Sequence, residues 1–201
     1  MDATGWDARY AEVDQVWSSG PNQFVEAELR DLPPGNALDL ACGEGRNAIW
    51  LAAQGWKVTA IDFSSVGVDR GRSRADGLPI SWVVGDVLTV DLPQTDLAVL
   101  AYLQLPADQR RSVVRRAFAA LSPGGSLFVV AHDSSNLTEG TGGPQDPSVL
   151  YTADDLIEDL AGEKFDVVRA ERVARRVPVD DGHGGDTGAT AWDALVRVVR
   201  A

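Results

Sequence analysis

The segment "ALDLACGEGRNA", residues 37–48, sets two glycines, Gly43 and Gly45, between an apolar run and a stretch of helical character. A turn of this kind lets a ligand come close to the backbone, because glycine lacks the Cβ that would block it. The helix that follows presents its first amides, with their positive potential, to an anionic part of that ligand. With Ala48 the spacing satisfies the G-x-G-x-x-G/A pattern of dinucleotide sites. The same turn suits S-adenosylmethionine, so the glycines alone leave the ligand open.

Acidic residues at successive strand ends narrow the choice. Asp39 precedes Gly43 at the ligand end of the first expected strand, where a carboxylate repels a pyrophosphate and attracts a ligand carrying a sulfonium and an ammonium. Asp62, closing "KVTAID", stands where an acid can hold both ribose hydroxyls of either ligand, and Phe63 beside it offers an apolar face to an adenine ring. In "VVGDV" Asp86 follows the third strand. Its carboxylate can accept from an exocyclic adenine amine, with the Val87 amide near a ring nitrogen.

These residues need a scaffold that brings strand ends together, and the periodicity supplies one. Short β-rich runs alternate with longer helical ones, the signature of an α/β fold. After an arm over residues 1–21, "NQFVEAELRDL" reads as a helix stopped by Pro33, Pro34 and Gly35. Strands are expected at 36–41, 57–61, 80–84, 96–103 and 126–133, with helices at 46–54 and 65–75 and in "PADQRRSVVRRAFAALS". Residues 133–151 are too rich in glycine and proline for regular structure and too long for a connector, so they read as a lid or substrate loop. "TADDLIEDLAG" reads as a short helix capped by Thr152, with Asp155 as its capping-box partner. Strands at 165–176 and 191–199, joined by "VDDGHGGDTGAT", read as an antiparallel hairpin. The expected fold is a single-domain, Rossmann-like three-layer sandwich over residues 1–201, with a seven-stranded mostly parallel sheet closed by that hairpin.

Composition excludes several classes. The net charge of −12 repels nucleic acid. Arg110, Arg111, Arg115 and Arg116 read as a solvated outer helix face rather than a basic patch. No apolar run approaches the roughly 20 residues of a membrane span. The polar, acidic N-terminus is neither a secretory signal nor a transit peptide, so a cytoplasmic location is expected. Cys42 is the single cysteine, and His132 and His183 are the two histidines. That inventory permits no disulfide and no recognisable metal site.

Taken together, "LDLACGEGRNA", "VTAIDFS", "VVGDV", "DLAVLAYLQLP" and "ALSPGGSLFVV" resemble the motifs of the class I S-adenosylmethionine-dependent methyltransferases, over nearly the whole chain. "WDARYAE", "GPNQF", "CGEGRNA" and "TGGP" are most similar to the small tellurite-resistance and thiopurine-type branch. The resemblance implies S-adenosylmethionine as cofactor, with S-adenosylhomocysteine as product. Gly43 and Gly45 would approach its methionine part, Asp62 its ribose, and Asp86 and Val87 its adenine, with Asp39 near the amino-acid end. Ala41, Asn47, Phe63, Ser64 and Leu100 complete the implied cofactor set. An N-terminal arm folded over the site adds Arg9 and Trp17, Arg9 as a partner for the methionine carboxylate.

Methyl transfer from a sulfonium is an in-line displacement, which asks the protein chiefly for alignment and exclusion of water. A thiol or reduced chalcogen acceptor needs little help, whereas a hydroxyl or ammonium must lose a proton. His132 is the expected base, ahead of Tyr102 and His183. "LAYLQLP" lacks the N-P-P-Y type sequence of nitrogen methylation on planar groups, and no Pro-Cys nucleophile exists for cytosine C5. A small-molecule acceptor is expected, in a pocket lined by Trp6, Tyr102, Gln104 and Tyr151 on a monomer or homodimer. The competing readings are a nicotinamide oxidoreductase, which lacks any Tyr-x-x-x-Lys pair, and a non-catalytic cofactor-binding protein.

Overall fold

The computed structural model describes residues 3–12, 20–177 and 188–201. Seven strands form one sheet: β1 (Asn36–Leu40), β2 (Lys57–Asp62), β3 (Ile80–Val84), β4 (Thr95–Ala101), β5 (Leu121–His132), β6 (Phe165–Val177) and β7 (Ala189–Arg200). Their spatial order is β3-β2-β1-β4-β5-β7-β6. The first five run parallel, and β7 pairs antiparallel with both β5 and β6. The helices are α1 (Ala3–Glu12), α2 (Gln23–Leu29), α3 (Arg46–Ala53), α4 (Ser65–Arg74), α5 (Ala107–Ala119), α6 (Asn136–Glu139) and α7 (Ala153–Asp159).

Side chains alternate across a strand, so each central strand feeds two cores. On one face Val25, Leu29, Leu51 and Trp56 pack against Ala37, Val58, Leu97, Val99 and Phe128. On the other, Val113, Phe118, Leu156 and Leu160 pack against Leu38, Leu40, Ile61, Leu100 and Leu127. Asp39 shares the face of Ala37 and therefore lies beneath α2 and α3.

The expected elements correspond closely to these, with three differences. The arm contains a helix, α1, whose Tyr10 ring lies against Gly67 of α4. The segment 133–151 is not devoid of regular structure: it folds α6 and a 3-10 turn over Pro147–Val149, where Asp146 caps the Ser148 amide. Strand β5 begins at Leu121 rather than 126, because the Ser122–Gly125 turn stays inside the ladder as a register shift opposite Thr95 and Leu97. The capping box at α7 forms, Thr152 and Asp155 bonding reciprocally.

The α5 arginines form a solvated face only in part: Arg111 and Arg115 are exposed, whereas Arg110 is buried and Arg116 half-buried. Arg110 and Arg111 both reach Asp159, which is fully buried. Arg115 donates to the carbonyls of Asp159 and Ala161, and Arg116 to those of Val87 and Val90. They clamp α7 and the β3–β4 loop onto α5, because the last carbonyls of α7 and the Asp159 carboxylate lie within their reach.

Trp82 on β3 was not singled out by the sequence, yet it fixes how α3, α4 and β3 meet. Its ring occupies the space a Cβ would take at both Gly45 and Gly71. An alanine methyl at Gly71 would sit 2.5 Å from the Trp82 ring and 3.0 Å from the Glu44 carbonyl oxygen. Gly71→Ala is expected to cost about 1–3 kcal/mol by overpacking, measured by urea unfolding. In a Trp82→Leu background the penalty shrinks, as a double-mutant cycle shows.

Candidate functional site

The strand order reverses between β1 and β4, and the crevice outside their C-terminal ends is where a ligand binds in open α/β sheets. The backbone there is unusual on both sides. Ala41 leaves β1 at φ 57° and Tyr102 leaves β4 at φ 59°, both in the left-handed region. Such conformations cost about 1–3 kcal/mol in a non-glycine residue, and they cluster at ligand sites. Gly43 and Gly45 continue the turn at φ 55° and 72°. The Cys42 amide, bonded to the Ile61 carbonyl at 3.0 Å, ties it to β2. Gly45 was expected to admit the ligand, but the space left by its missing Cβ is filled by Trp82.

Asp62 is buried at the β2 tip, and its two carboxylate oxygens accept from the Gly43 and Ser64 amides, both at 2.8 Å. A carboxylate offers roughly four lone-pair positions, so each oxygen keeps one for a ligand hydroxyl. Burial raises its pKa, the two amides lower it, and Asp7 raises it again. Ser64 caps α4 through the Gly67 amide, and its hydroxyl donates to Asp7 of α1 at 2.5 Å. Arg9 is exposed and stacks on Trp6 of its own helix, 5.2 Å from the ring centroid. Phe63 is half-buried next to this junction. Asp86 is exposed after β3, with one oxygen accepting the Leu88 amide at 2.9 Å, while Val87 is buried. The Leu100 side chain points into the core between strands, so only its backbone borders the edge. Trp17 and His183 lie outside the described residues.

Asp39 departs from expectation. Its carboxylate does not face solvent at the ligand end: the residue is 1% exposed, beneath the start of α3, where it accepts the Ala48 amide. Its Oδ2 has no hydrogen-bond partner among the described residues. Burial, and secondarily the neighbouring Asp62, push its pKa up to about 7, against the Ala48 amide and Arg46. Asn47 is likewise turned inward, its Oδ1 accepting the Asn22 amide at 2.9 Å and pinning the start of α2.

A second polar cluster occupies the ends of β4, β5, β6 and β7. The Tyr102 hydroxyl donates to Asp193 Oδ2 at 2.8 Å and accepts from Asn22 Nδ2 at 3.4 Å. Arg175 Nε donates to the same Asp193 oxygen at 2.7 Å. The His132 ring lies 5.0 Å from that of Tyr102, and its Nδ1 is 3.4 Å from Asp193 Oδ1. Burial holds the Tyr102 phenol well above its ordinary value and the His132 imidazole below its own; for His132, Arg175 adds to the lowering and Asp193 opposes it. Gln104 braces this cluster rather than facing open space, accepting the His132 amide at 3.0 Å and donating to the Val149 carbonyl at 2.6 Å. Tyr151 does not line a pocket. It is 2% exposed within the core, its hydroxyl donating to the Leu103 carbonyl and its ring under Arg110. A depression at the opposite, N-terminal strand ends, between Asn36, Lys57 and Pro79, contains none of these groups.

Asn22, Arg175 and Asp193 were missed in the sequence. Asp193 carried a signal, as a lone acid inside the apolar run "ATAWDALVRVV", where an unpaired charge is costly. Among the described residues no group of three or more His, Cys, Asp or Glu could hold a metal, and no helix is long and apolar enough to cross a membrane.

Residues 37–125 match a family model described as a methyltransferase domain. An uncharacterised methyltransferase of Mycobacterium tuberculosis is 31% identical over 133 residues, covering 64% of this chain and 66% of that protein, just under two thirds of its length. TehB from Haemophilus influenzae superposes with a TM-score of 0.74 at 18% identity, over 97% of this chain and 66% of that one. The N-methyltransferase NodS from Bradyrhizobium japonicum, solved with S-adenosylhomocysteine, gives 0.73 at 21% identity over 99% of both chains. Residues 37–125 are thus similar to methyltransferase domains, and the chain as a whole shares the fold of the superposed structures.

The buried Asp39 makes stability depend on pH in a defined direction. A pKa raised from 3.8 to about 7 means that its stabilising contribution is complete below 3.8 and is lost as pH rises through about 7. Ionising it in the ligand-free protein costs up to roughly 4 kcal/mol. Asp39→Asn should therefore melt higher than the wild type at pH 8.5 and close to it at pH 4.5, as followed by calorimetric scans at the two values.

Proposed function

We propose that this chain transfers the methyl group of S-adenosylmethionine to a small-molecule acceptor with a thiol, chalcogen or hydroxyl nucleophile. The observation that carries this reading is Asp39 Oδ2, a buried carboxylate oxygen without a partner among the described residues, behind the turn at the reversal of strand order. A pyrophosphate would add to that negative charge, whereas the ammonium and sulfonium of S-adenosylmethionine offset it. The residues present thus fit the cofactor.

When bound, S-adenosylmethionine supplies an electrophilic methyl carbon on a cationic sulfur. The open turn from Ala41 to Gly43 receives the amino-acid end, with Asp39 and Asn47 behind it. Asp62 takes the ribose hydroxyls on the lone pairs its two amide bonds leave free, between Phe63 and Ser64. Asp86 and the Val87 amide hold the adenine. The backbone at Leu100 closes the β4 side. Trp6 and Arg9 of the arm cover the cofactor and hold water out, α1 being fastened to α4 by the Asp7–Ser64 bond. The acceptor enters between the arm and the 133–151 segment, beside Tyr102 and His132. Tyr102 stays protonated, because its hydroxyl is committed to Asp193, which leaves His132 as the group able to take a proton.

The reading extends to residues 1–201 as one domain, acting in the cytoplasm on small molecules rather than nucleic acid or membrane, as a monomer or homodimer. Calorimetry with S-adenosylmethionine, S-adenosylhomocysteine and NAD tests it. Both adenosyl-sulfur ligands should bind and NAD should not; the reverse pattern would sink the proposal. Asp62→Ala should weaken S-adenosylhomocysteine by about 1–3 kcal/mol, and unchanged affinity removes Asp62 from the ribose site.

A further inference from the structure

His132 and Asp193 pair directly across β5 and β7. Their facing atoms, Nδ1 and Oδ1, stand 3.4 Å apart, and both are buried without a hydrogen bond among the described residues. We infer that Asp193 is a positioning residue that fixes the His132 proton on Nδ1, so that Nε2 is the base which takes the proton of the methyl acceptor. This rests on the methyltransferase reading above.

The argument begins with the two orphaned atoms. A buried donor or acceptor left unsatisfied costs about 1–3 kcal/mol, and a small rotation of the imidazole turns both into one charge-assisted bond. The other carboxylate oxygen is already taken, by Arg175 Nε at 2.7 Å and the Tyr102 hydroxyl at 2.8 Å. Asp193 is therefore held from two sides with Oδ1 aimed at the ring. The ring is held in turn. Gln104 accepts the His132 amide, and Gly143 of the 133–151 segment lies so close that a Cβ there would be 2.9 Å from the ring. Nε2 makes no hydrogen bond to any described residue, and the side chain keeps 15% exposure.

The charged and titratable groups facing His132 are Asp193 of β7, Arg175 of β6 and Tyr102 after β4. Behind them, Arg46 of α3 acts electrostatically on Tyr102 and Arg175. Burial and Arg175 together outweigh Asp193, which keeps the imidazole neutral at neutral pH and free to accept. This arrangement suits an acceptor whose nucleophilic atom carries a removable proton, a hydroxyl or thiol, rather than a preformed anion. The proton of the acceptor passes to Nε2 while its electron pair forms the new bond to the methyl carbon. The carbon–sulfur bond breaks with its pair left on sulfur, and the imidazolium returns its proton to water.

The test does not need the acceptor. Nitrogen-15 NMR of the imidazoles, with His183→Gln to isolate His132, reads the tautomer, and a pH titration reads the pKa. The wild type should show the proton on Nδ1. Asp193→Asn should lose that preference and titrate roughly one unit lower, and Arg175→Met should titrate higher, opposite signs that a merely structural role does not produce. A wild type protonated on Nε2, a measurement that requires no variant to fold, overturns the inference. So does an Asp193→Asn protein with unchanged tautomer and pKa. Binding of S-adenosylhomocysteine is measured on the same samples. Its absence from the wild type overturns the methyltransferase reading and this inference with it, whereas binding together with the wrong tautomer overturns the inference alone.

Discussion

Asp62 is the residue on which the rest of the edge depends. Its carboxylate takes the amides of Gly43 and Ser64, and its carbonyl takes the amide of Gly85 at 2.9 Å. The turn after β1, the cap of α4 and the tip of β3 are thereby set by one side chain and its backbone. Ser64 passes the constraint outward to Asp7, and so to α1. Local bonds alone would not order such a turn, since loops carry little packing to offset their entropy. Here three chain segments share one anchor, and the polar groups meant for a ligand are held in place before it arrives.

Much of this was legible in the sequence, for identifiable reasons. Ile80–Val84 is bounded by punctuation on both sides, Gly77 and Pro79 before it and Gly85 after it, so its limits follow from turn chemistry, although none of its residues is fully buried. The antiparallel placement of β7 followed from a hairpin-like spacing. The acids at 39, 62 and 86 followed from where strands must end. Orientation was less accessible. Whether Asp39 faces the crevice or the helix above it depends on the two-residue alternation fixed by Leu38 and Leu40 in the opposite core, and a one-residue ambiguity at the strand end reverses the answer.

Partners far apart in the chain were not legible at all. Arg110 meets Asp159, Trp82 fills the space over Gly45 and Gly71, and Tyr102 meets Asp193. None of these pairs shares a local pattern, and each depends on a sheet order that places distant segments side by side. The α5 arginines show the consequence. A run of four cations reads as surface by composition, yet the short α7 exposes final carbonyls and a buried carboxylate that need donors. The tertiary arrangement buries Arg110 and brings the guanidinium groups of the more solvated three onto these acceptors and the β3–β4 loop.

Two fully buried carboxylates flank the crevice, and they are balanced differently. Asp193 has Arg175 and the Tyr102 hydroxyl within hydrogen-bond distance, so its charge is compensated by the chain itself. Asp39 has one amide, a more distant Arg46, and a like charge at Asp62. Folding thus leaves uncompensated negative charge on the β1 side, and on the β4–β5 side a polar cluster whose carboxylate is held by the chain's own Arg175 and Tyr102. The first is relieved only by a proton or by a cation brought in by a ligand; the second needs neither, and can act on whatever is placed beside it. An edge so divided takes the cationic ligand as the missing part of its own electrostatics, while the acceptor meets groups already held in position.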